Sequence, residues 1–263
     1  MNDMIKRLII GDIHGHFDHV KGIYNLEKPD EVICLGDYVD SFMQNPEDHK
    51  NCLNELLALR KRHNDTHGKR CTFHLLMGNH DFHYIYDKEK YSGYNDETSY
   101  LCKPILRKML DDNVLKVVYV DEINRTIYSH AGISSEWMKL HNVHSLGFIN
   151  DVSFDCLRFT YREASNNAGE SKYSSPIWIR PYSLGMNLYS DEQGEWRQVV
   201  GHTNVSHIID FEIEKFSTWK EHIPVIICDS LPHDYLVEYL DDTGKLMHTE
   251  IKEYMSNIKG YQQ

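Results

Sequence analysis

The sequence predicts an α/β fold, in which short strands and amphipathic helices alternate along the chain. Apolar runs recur, and most of them stop at a glycine or a charged residue, as buried strands do. Segments with apolar residues at helical spacing separate the first of these runs. No linker or internal repeat divides the 263 residues, so we expect a single domain over 1–263, with a variable insertion or lid at about 145–196.

The predicted elements follow in order. In the first half, strands and helices alternate over residues 8–10, 16–26, 32–35, 51–63, 72–77 and 103–110. The last of these helices has Pro104 in its first turn, where a missing N–H costs little. In the second half, strands are predicted over residues 115–120, 126–129, 198–200, 225–228, 235–240 and 245–252. Ser134 is expected to cap a helix, and the polar stretch 165–175 to form a surface loop or lid.

The composition is that of a globular protein, with 41% hydrophobic and 26% charged residues. A net charge of −12 argues against non-specific binding to nucleic acid. No apolar run reaches the roughly 18 residues that a membrane span needs, and the chain start leads directly into the first strand. We therefore expect a cytoplasmic protein that does not bind membranes, whose six scattered cysteines are reduced.

Polar side chains that can bind metal ions follow five of the apolar runs. They are Asp12 and His14, Asp37, Asn79 and His80, His130, and His202. Binding sites in open α/β sheets form beyond the carboxyl ends of the strands, so these side chains can share one site. Oxygen and imidazole ligands without thiolates suit Mn²⁺, Fe, Zn²⁺ or Mg²⁺, and their number fits two divalent ions. Two such ions would outweigh the charges of Asp12 and Asp37 and attract a phosphate to an acidic protein.

These positions also carry a resemblance to a known family. The motifs are Gly11-Asp12-Ile13-His14-Gly15, Gly36-Asp37-Tyr38-Val39-Asp40, Gly78-Asn79-His80-Asp81, His130-Ala131-Gly132 and Gly201-His202-Thr203. Their order and rough spacing resemble those of the calcineurin-like metallophosphoesterases. The resemblance is specifically to the phosphoprotein-phosphatase branch, with its small bacterial and phage phosphatases and dinucleoside tetraphosphatases. It implies an α/β sandwich of four layers, α-β-β-α, with two mixed sheets packed face to face.

The resemblance further implies how two metal ions, with Mn²⁺ favoured, are held. One ion would be bound by Asp12, His14 and Asp37. The other would be bound by Asp37, Asn79, His130 and His202, with Asn79 also facing the substrate.

The remaining roles implied by the resemblance concern the substrate. His80 would be the general acid, oriented by Asp40, because a carboxylate behind an imidazole holds the ring and favours its protonated form. Arg180 would grip the phosphate, since a guanidinium suits bidentate binding. Two departures from the family pattern stand out. Ser41 replaces an expected arginine, which removes one phosphate-binding cation, and Asp81 replaces a glutamate.

Two further residues could support the site. Asp229 ends an apolar run on the same side and is a candidate acid behind His202 or His130. His83 lies close to the third motif, although a position facing solvent is the favoured interpretation.

The implied function is hydrolysis of a phosphate monoester, in a small molecule or a phosphoprotein, by a water that two metal ions activate. The first alternative is hydrolysis of a dinucleoside polyphosphate such as diadenosine tetraphosphate, with the nucleoside bound by the 145–196 insertion. The second is a non-catalytic metal-binding scaffold. Loss of the arginine at position 41 favours it, and retention of His80 and Asp40 speaks against it.

Overall fold

The computed structural model describes residues 4–41, 43–68, 72–86, 90, 93–150, 159, 169–211 and 223–254. Its strands are β1 Ile5–Ile10, β2 Glu31–Cys34, β3 Phe73–Leu76, β4 Leu115–Lys116, β5 Val118–Asp121, β6 Thr126–Ser129, β7 Ser190–Asp191, β8 Gly194–Glu195, β9 Arg197–Val200, β10 Ile209–Asp210, β11 Val225–Ile227, β12 Asp234–Leu240 and β13 Leu246–Glu253. Its helices are α1 Phe17–Glu27, α2 Pro46–His67, α3 Asn79–Tyr86, α4 Asp96–Asp111, α5 Ser135–Leu140 and α6 Pro181–Gly185, with a 3₁₀ helix at Leu146–Ile149. None of the described helices is long and apolar enough to cross a membrane.

Two mixed sheets form the centre of the fold. The six-stranded sheet has the order β13-β12-β1-β2-β3-β4, in which β1 to β4 are parallel and the last two strands of the chain are antiparallel additions. The five-stranded sheet has the order β10-β11-β9-β6-β5, in which β6, β9 and β11 are parallel. The prediction of an α/β fold with two mixed sheets is confirmed.

Strand β1 illustrates how the layers pack. Leu8 and Ile10 belong to the apolar cluster that contains Leu53 of α2, so they face the helices. Ile9 lies between them in sequence and belongs to a second cluster with Val199 of β9, so it faces the other sheet. A strand buried on both faces has an uninterrupted apolar sequence, which is why β1 lacks alternation. A third cluster covers the outer face of the five-stranded sheet with residues that include part of α6.

The parallel strands of both sheets end at the same edge of the sandwich. In the first sheet, β1, β2 and β3 are followed by the loops that carry Asp12, Asp37 and Asn79. In the second sheet, β6 and β9 are followed by His130 and His202. Packing the two sheets face to face therefore brings loops that are distant in sequence to one edge.

Three predicted boundaries are wrong, and local contacts explain each difference. Helix α2 starts earlier than predicted, because Asn45 and Asp48 form a capping box. Helix α4 also starts earlier, with Asn95 as its N-cap, so Pro104 lies inside the helix and not in its first turn. The predicted strand that follows α4 divides at Val117, because its two halves pair in different sheets.

The predicted insertion at 145–196 is described only in part, since residues 151–158 and 160–168 lie outside the described residues. Its described part contains the 3₁₀ helix, α6 and a ribbon of β7 and β8. The polar loop inside it does not lie wholly at the surface, because Ser174 and Ser175 are fully buried. The four cysteines that the structure describes are buried and free of disulfides, and the other two lie outside the described residues.

A buried charge network joins the sheets at the end opposite to these loops. Arg7, near the start of β1, donates hydrogen bonds to Glu31, to Asp121 at 2.8 Å and to Glu238 at 3.3 Å. Arg197 of the second sheet also donates to Glu238, at 2.7 Å. Arg7 and the three carboxylates are buried, so each charge depends on its partners to offset its desolvation.

We expect Arg7→Met to lower the free energy of unfolding by roughly 3–5 kcal/mol, because it leaves buried carboxylates without their shared partner. Denaturant unfolding of the two proteins measures this loss. The control is Arg125→Met, which removes an exposed ion pair with Asp191 and should cost far less. Equal losses of unfolding free energy in the two variants would contradict a larger contribution from the buried network.

Candidate metal centre

The predicted metal ligands converge on one cavity of about 410 Å³ at the shared edge of the two sheets. Its described lining residues are Asp12, His14, Asp37, Asn79, His80, Trp178, Arg180, His202, Asn204 and Asp229. His130 is fully buried and contacts the lining from behind, with its Nε2 atom 2.8 Å from Asn79 Oδ1. The structure thus brings together the side chains that follow five separate strands.

Three histidines each donate one ring N–H to a backbone carbonyl. The pairs are His14 Nδ1 with Val39 at 3.1 Å, His130 Nδ1 with Leu35 at 3.0 Å, and His202 Nε2 with Trp178 at 3.2 Å. A neutral imidazole has a single N–H, so the other nitrogen of each ring presents a lone pair. Backbone carbonyls therefore select the tautomer that metal binding requires.

The three remaining nitrogens face oxygen atoms. His130 Nε2 lies 2.8 Å from Asn79 Oδ1 and 3.4 Å from Asp37 Oδ2. His202 Nδ1 lies 3.0 Å from the same Asn79 oxygen, and His14 Nε2 lies 3.9 Å from Asp37 Oδ2. Asp37 thus stands between His14 and His130, in a position to bridge two ions. Imidazole, carboxylate and amide donors facing one another form a set that fits divalent cations.

Burial perturbs the ionisable groups at this edge. It raises the pKa of Asp37 to about 7. Burial, together with the carboxylates of Asp229 and Asp37, also raises the pKa of Asp12 well above its ordinary value. For His130 and His202, burial lowers the pKa well below the ordinary value, so both rings are neutral at neutral pH. The protein alone opposes negative charge on the carboxylates, whereas a bound cation would favour it.

Two glycines allow the carboxylates to approach neighbouring loops. A Cβ atom on Gly78 would lie 2.0 Å from Asp37 Oδ1, and one on Gly201 would lie 2.2 Å from Asp12 Oδ1. The backbone N–H that follows Gly201 donates to Asp12 at 3.1 Å. Each glycine therefore makes room for an acid that comes from a different strand.

Asp81 has a role that the sequence interpretation missed. Its fully buried carboxylate accepts the backbone N–H groups of Asp37, Tyr38 and Gly78, each at 2.9 Å. These bonds tie the loop after β2 to the loop after β3 and so help to place Asp37. The available signal was an acid in the first turn of a helix, where backbone N–H groups lack partners within the helix.

The structure brings His80 and Asp40 together, with His80 Nδ1 2.8 Å from Asp40 Oδ2. Asp40 has two further partners: His83 Nε2 at 2.6 Å and the hydroxyl of Tyr84. The expectation that His83 faces solvent is wrong, because its side chain is fully buried. Although Asp40, His80 and His83 are all possible metal ligands, Asp40 Oδ2 lies only 2.8 Å from His80 Nδ1, as a hydrogen-bond partner, and 2.6 Å from His83 Nε2. Two ligands each about 2.0–2.1 Å from one ion would lie farther apart.

Arg180 forms part of the cavity wall at the start of α6. Its Nη1 atom donates to the carbonyl of His202 at 3.0 Å and to Thr203 Oγ1 at 3.1 Å, which fixes the guanidinium in place. It is the only lysine or arginine among the described residues that line the cavity. At the position of the missing arginine, the backbone N–H of Ser41 donates to His49 Nε2 at 3.3 Å.

Asp229 lies in the cavity wall, where its carboxylate contacts Asp12 and Asn204. The expectation that it supports His130 or His202 is wrong, because backbone carbonyls accept the N–H groups of both rings. Its effect on the cavity is to add a third carboxylate opposite a single arginine.

The sequence model of the calcineurin-like phosphoesterases matches residues 5–228 of this chain. The search of curated proteins found no match to this chain. Among solved structures, an uncharacterized predicted phosphoesterase of Streptococcus pneumoniae is 11% identical with a TM-score of 0.27, over 96% of this chain and 99% of that one. A dimetal phosphatase of Danio rerio is 12% identical with a TM-score of 0.34, over 95% of this chain and 99% of that one.

The match to the family model extends over most of the chain. The cavity described above lies within the matched residues apart from the side chain of Asp229. The chain belongs to the calcineurin-like phosphoesterase family and is a metal-dependent phosphoesterase.

Proposed function

We propose that this protein is a phosphomonoesterase of the phosphoprotein-phosphatase type that works with two divalent ions. The observation that best supports the proposal is the set of three histidine nitrogens that carbonyl hydrogen bonds orient toward the oxygens of Asp37 and Asn79. A paired His80 and a fixed Arg180 line the same cavity. Sites for a cation, a proton donor and a phosphate group therefore lie together, as hydrolysis of a phosphate ester requires.

The proposed ligands are those that the family motifs imply. Asp12, His14 and Asp37 would hold one ion, and Asp37, Asn79, His130 and His202 would hold the other. Ions bound there would activate water and offset charge on the phosphoryl oxygens. The family supports divalent ions in general, and we propose Mn²⁺, with Fe, Zn²⁺ or Mg²⁺ as alternatives, because the ligands are oxygens and imidazoles without thiolate.

The chain's own residues would complete the reaction. Arg180 would bind phosphoryl oxygens from the wall to which His202 and Thr203 fix it. His80 would give the proton on Nε2 to the leaving-group oxygen, while its Nδ1–H remains hydrogen-bonded to Asp40. The amide of Asn79, which also lines the cavity, would face the same substrate oxygens.

Charge favours a monoester over a dinucleoside polyphosphate. Three carboxylates, those of Asp12, Asp37 and Asp229, line the cavity together with Arg180. Two divalent ions would change the net charge of the cavity from negative to positive, but the positive excess would be small. A dinucleoside tetraphosphate carries more negative charge than a monoester and would need further cations, and the described lining offers none. A non-catalytic scaffold would have no use for the ordered His80–Asp40 pair.

Metal binding should stabilise the protein more at higher pH. Asp12 and Asp37 have raised pKa values in the folded metal-free chain, whereas unfolded aspartate has a pKa of about 3.9. The folded state then binds more protons than the unfolded state, so its stability falls as pH rises from about 4 to about 7. Divalent ions replace those protons, and melting curves of metal-stripped protein at pH about 5 and about 8 should show a larger Mn²⁺-induced rise in Tm at the higher pH.

The matched control for this experiment is Asp96→Asn, which removes an exposed carboxylate and should leave the pH dependence unchanged. Asp12→Asn should reduce it. A rise in Tm with Mn²⁺ that is the same at both pH values would contradict a carboxylate-rich metal site.

We expect the purified protein with Mn²⁺ to hydrolyse a chromogenic aryl phosphate, and His80→Asn to lower kcat by roughly 10²–10⁴-fold with metal content unchanged. Asp12→Asn should lower both activity and metal content. Steady-state kinetics and elemental analysis on the same samples measure the two effects. His248→Asn, which changes a histidine on edge strand β13, is the control and should behave as wild type. Activity that survives both metal removal and Asp12→Asn would contradict the proposal.

A substrate panel decides between the two hydrolase functions. The expected order of kcat/KM places aryl phosphate and phosphoserine peptides above diadenosine tetraphosphate. Arg180→Lys should raise KM for the monoesters by about tenfold, because an ammonium cannot make the paired contacts of a guanidinium. Arg107→Lys on α4 is the control. A clear preference for diadenosine tetraphosphate would replace the proposed function with its alternative.

A further inference from the structure

Asp40 is the meeting point of three side chains from a single helix. His80, His83 and Tyr84 of α3 all contact its carboxylate. Residues separated by three and four positions lie on one face of a helix, so the three side chains share the face that Asp40 meets. His80 and His83 both approach Oδ2, while the Tyr84 hydroxyl donates to Oδ1. Both oxygens of the carboxylate are therefore occupied.

The segment before α4 covers the cluster that Asp40 forms with these three side chains, on the side away from the cavity. The backbone N–H of Asn95 donates to the Tyr84 hydroxyl at 3.1 Å, and Tyr94 stacks on the Tyr84 ring with centroids 5.0 Å apart. A Cβ atom on Gly93 would lie 3.2 Å from Asp40 Oδ2. The carboxylate is thus enclosed on the side away from the cavity, where His83 lies fully buried.

Asp40 itself has an unusual backbone conformation. Its φ angle of 66° lies in the left-handed region, which residues other than glycine seldom adopt. Such a conformation persists only where surrounding contacts impose it. Those contacts include His83 and Tyr84, which do not line the cavity.

The electrostatics of the cluster favour an ionised Asp40 beside a neutral His83. Although burial acts in the opposite direction, hydrogen bonds from His80, His83 and Tyr84 hold the pKa of Asp40 well below its ordinary value. Burial lowers the pKa of His83, although Asp40 opposes this shift. His83 is then neutral, so it contacts the carboxylate without adding a positive charge of its own.

We propose that His83, together with Tyr84, is a positioning residue for general-acid catalysis. It contacts Asp40 on the side away from the cavity and so fixes the carboxylate. Asp40 can then hold the Nδ1–H of His80 and keep His80 Nε2 directed into the cavity. This inference rests on the proposed function. In the step concerned, a bond forms between a water oxygen and phosphorus while the bond between phosphorus and the leaving-group oxygen breaks. The proton on His80 Nε2 moves to the leaving-group oxygen, and the proton that the attacking water loses passes to solvent. His80 becomes neutral, and Asp40 remains an anion throughout.

The test compares His83→Leu, which removes the donor, with His83→Gln, whose amide can still donate to Asp40. A leaving group with a high pKa needs a proton in the transition state, whereas a dinitrophenolate does not. We expect His83→Leu to lower kcat by about tenfold or more for an alkyl phosphate and little for a dinitrophenyl phosphate, with KM unchanged. His83→Gln should restore most of the loss, and Tyr84→Phe should give a weaker form of the same pattern.

A merely structural role predicts something different. If His83→Leu lowers kcat by the same factor for both substrates, or if His83→Gln fails to restore it, the positioning role is overturned. Loss of one metal equivalent in His83→Leu would also overturn it, because the cluster would then hold an ion. Tyr128→Phe, in the charge network at the opposite end of the sheets, is the control for loss of stability without a change in leaving-group dependence.

A second readout does not depend on activity. Nitrogen NMR of the histidine rings, recorded at a pH where the His80 ring is neutral, should show its N–H on Nδ1 and hydrogen-bonded in the wild type and in His83→Gln, and a mixture of tautomers in His83→Leu. An unchanged His80 signal in His83→Leu would overturn the inference even in an inactive protein. A wild type that hydrolyses no phosphate ester would overturn the proposed function, whatever the NMR result.

Discussion

The backbone carbonyls of Leu35, Val39 and Trp178 each accept a ring N–H from a histidine of the candidate metal centre, and the ability of this site to bind cations depends on these three hydrogen bonds. A neutral imidazole that gives its only N–H to a carbonyl must present a lone pair on the opposite nitrogen. Leu35 and Val39 come from the segment after β2, and Trp178 precedes α6, so the tautomers are set by segments that meet only when both sheets are packed. Backbone geometry therefore prepares the pocket for cations.

This preparation has a structural cost. His14, Asp37, Asp40 and His202 all have positive φ angles, between 45° and 66°. Left-handed conformations in residues other than glycine cost about 1–3 kcal/mol each and persist where the surroundings determine them. Here the surroundings include three backbone N–H groups bound to Asp81 and close approaches that only glycine permits. The mutual repulsion of buried carboxylates adds to this cost, and a bound cation would relieve it.

The same cavity contains little positive charge of its own. Arg180 is the only arginine or lysine in its described lining, and Ser41 contributes a backbone N–H to His49 where the family pattern has a cation. In the proposed mechanism, attraction of a phosphate would then come mainly from bound ions, and Arg180 would orient it. On the other side of His80, the proposed role of the cluster around Asp40 is to organise proton transfer. The proposal thus assigns phosphate binding and proton delivery to separate parts of the chain, α6 and α3.

The sequence by itself determined the α/β class and the ligand-type residues after five strands, because a fully buried strand and the polar residue that ends it are both visible in the local pattern. It did not determine where α4 begins, since the cap formed by Asn95 outweighs the preference of Pro104 for a first turn. The contacts that His83, Tyr84 and Asp81 make could not be predicted from the sequence either. Each of these side chains acts on a residue more than forty positions away or on another loop, and only the packing of α3 against the loop after β2 brings such partners into contact.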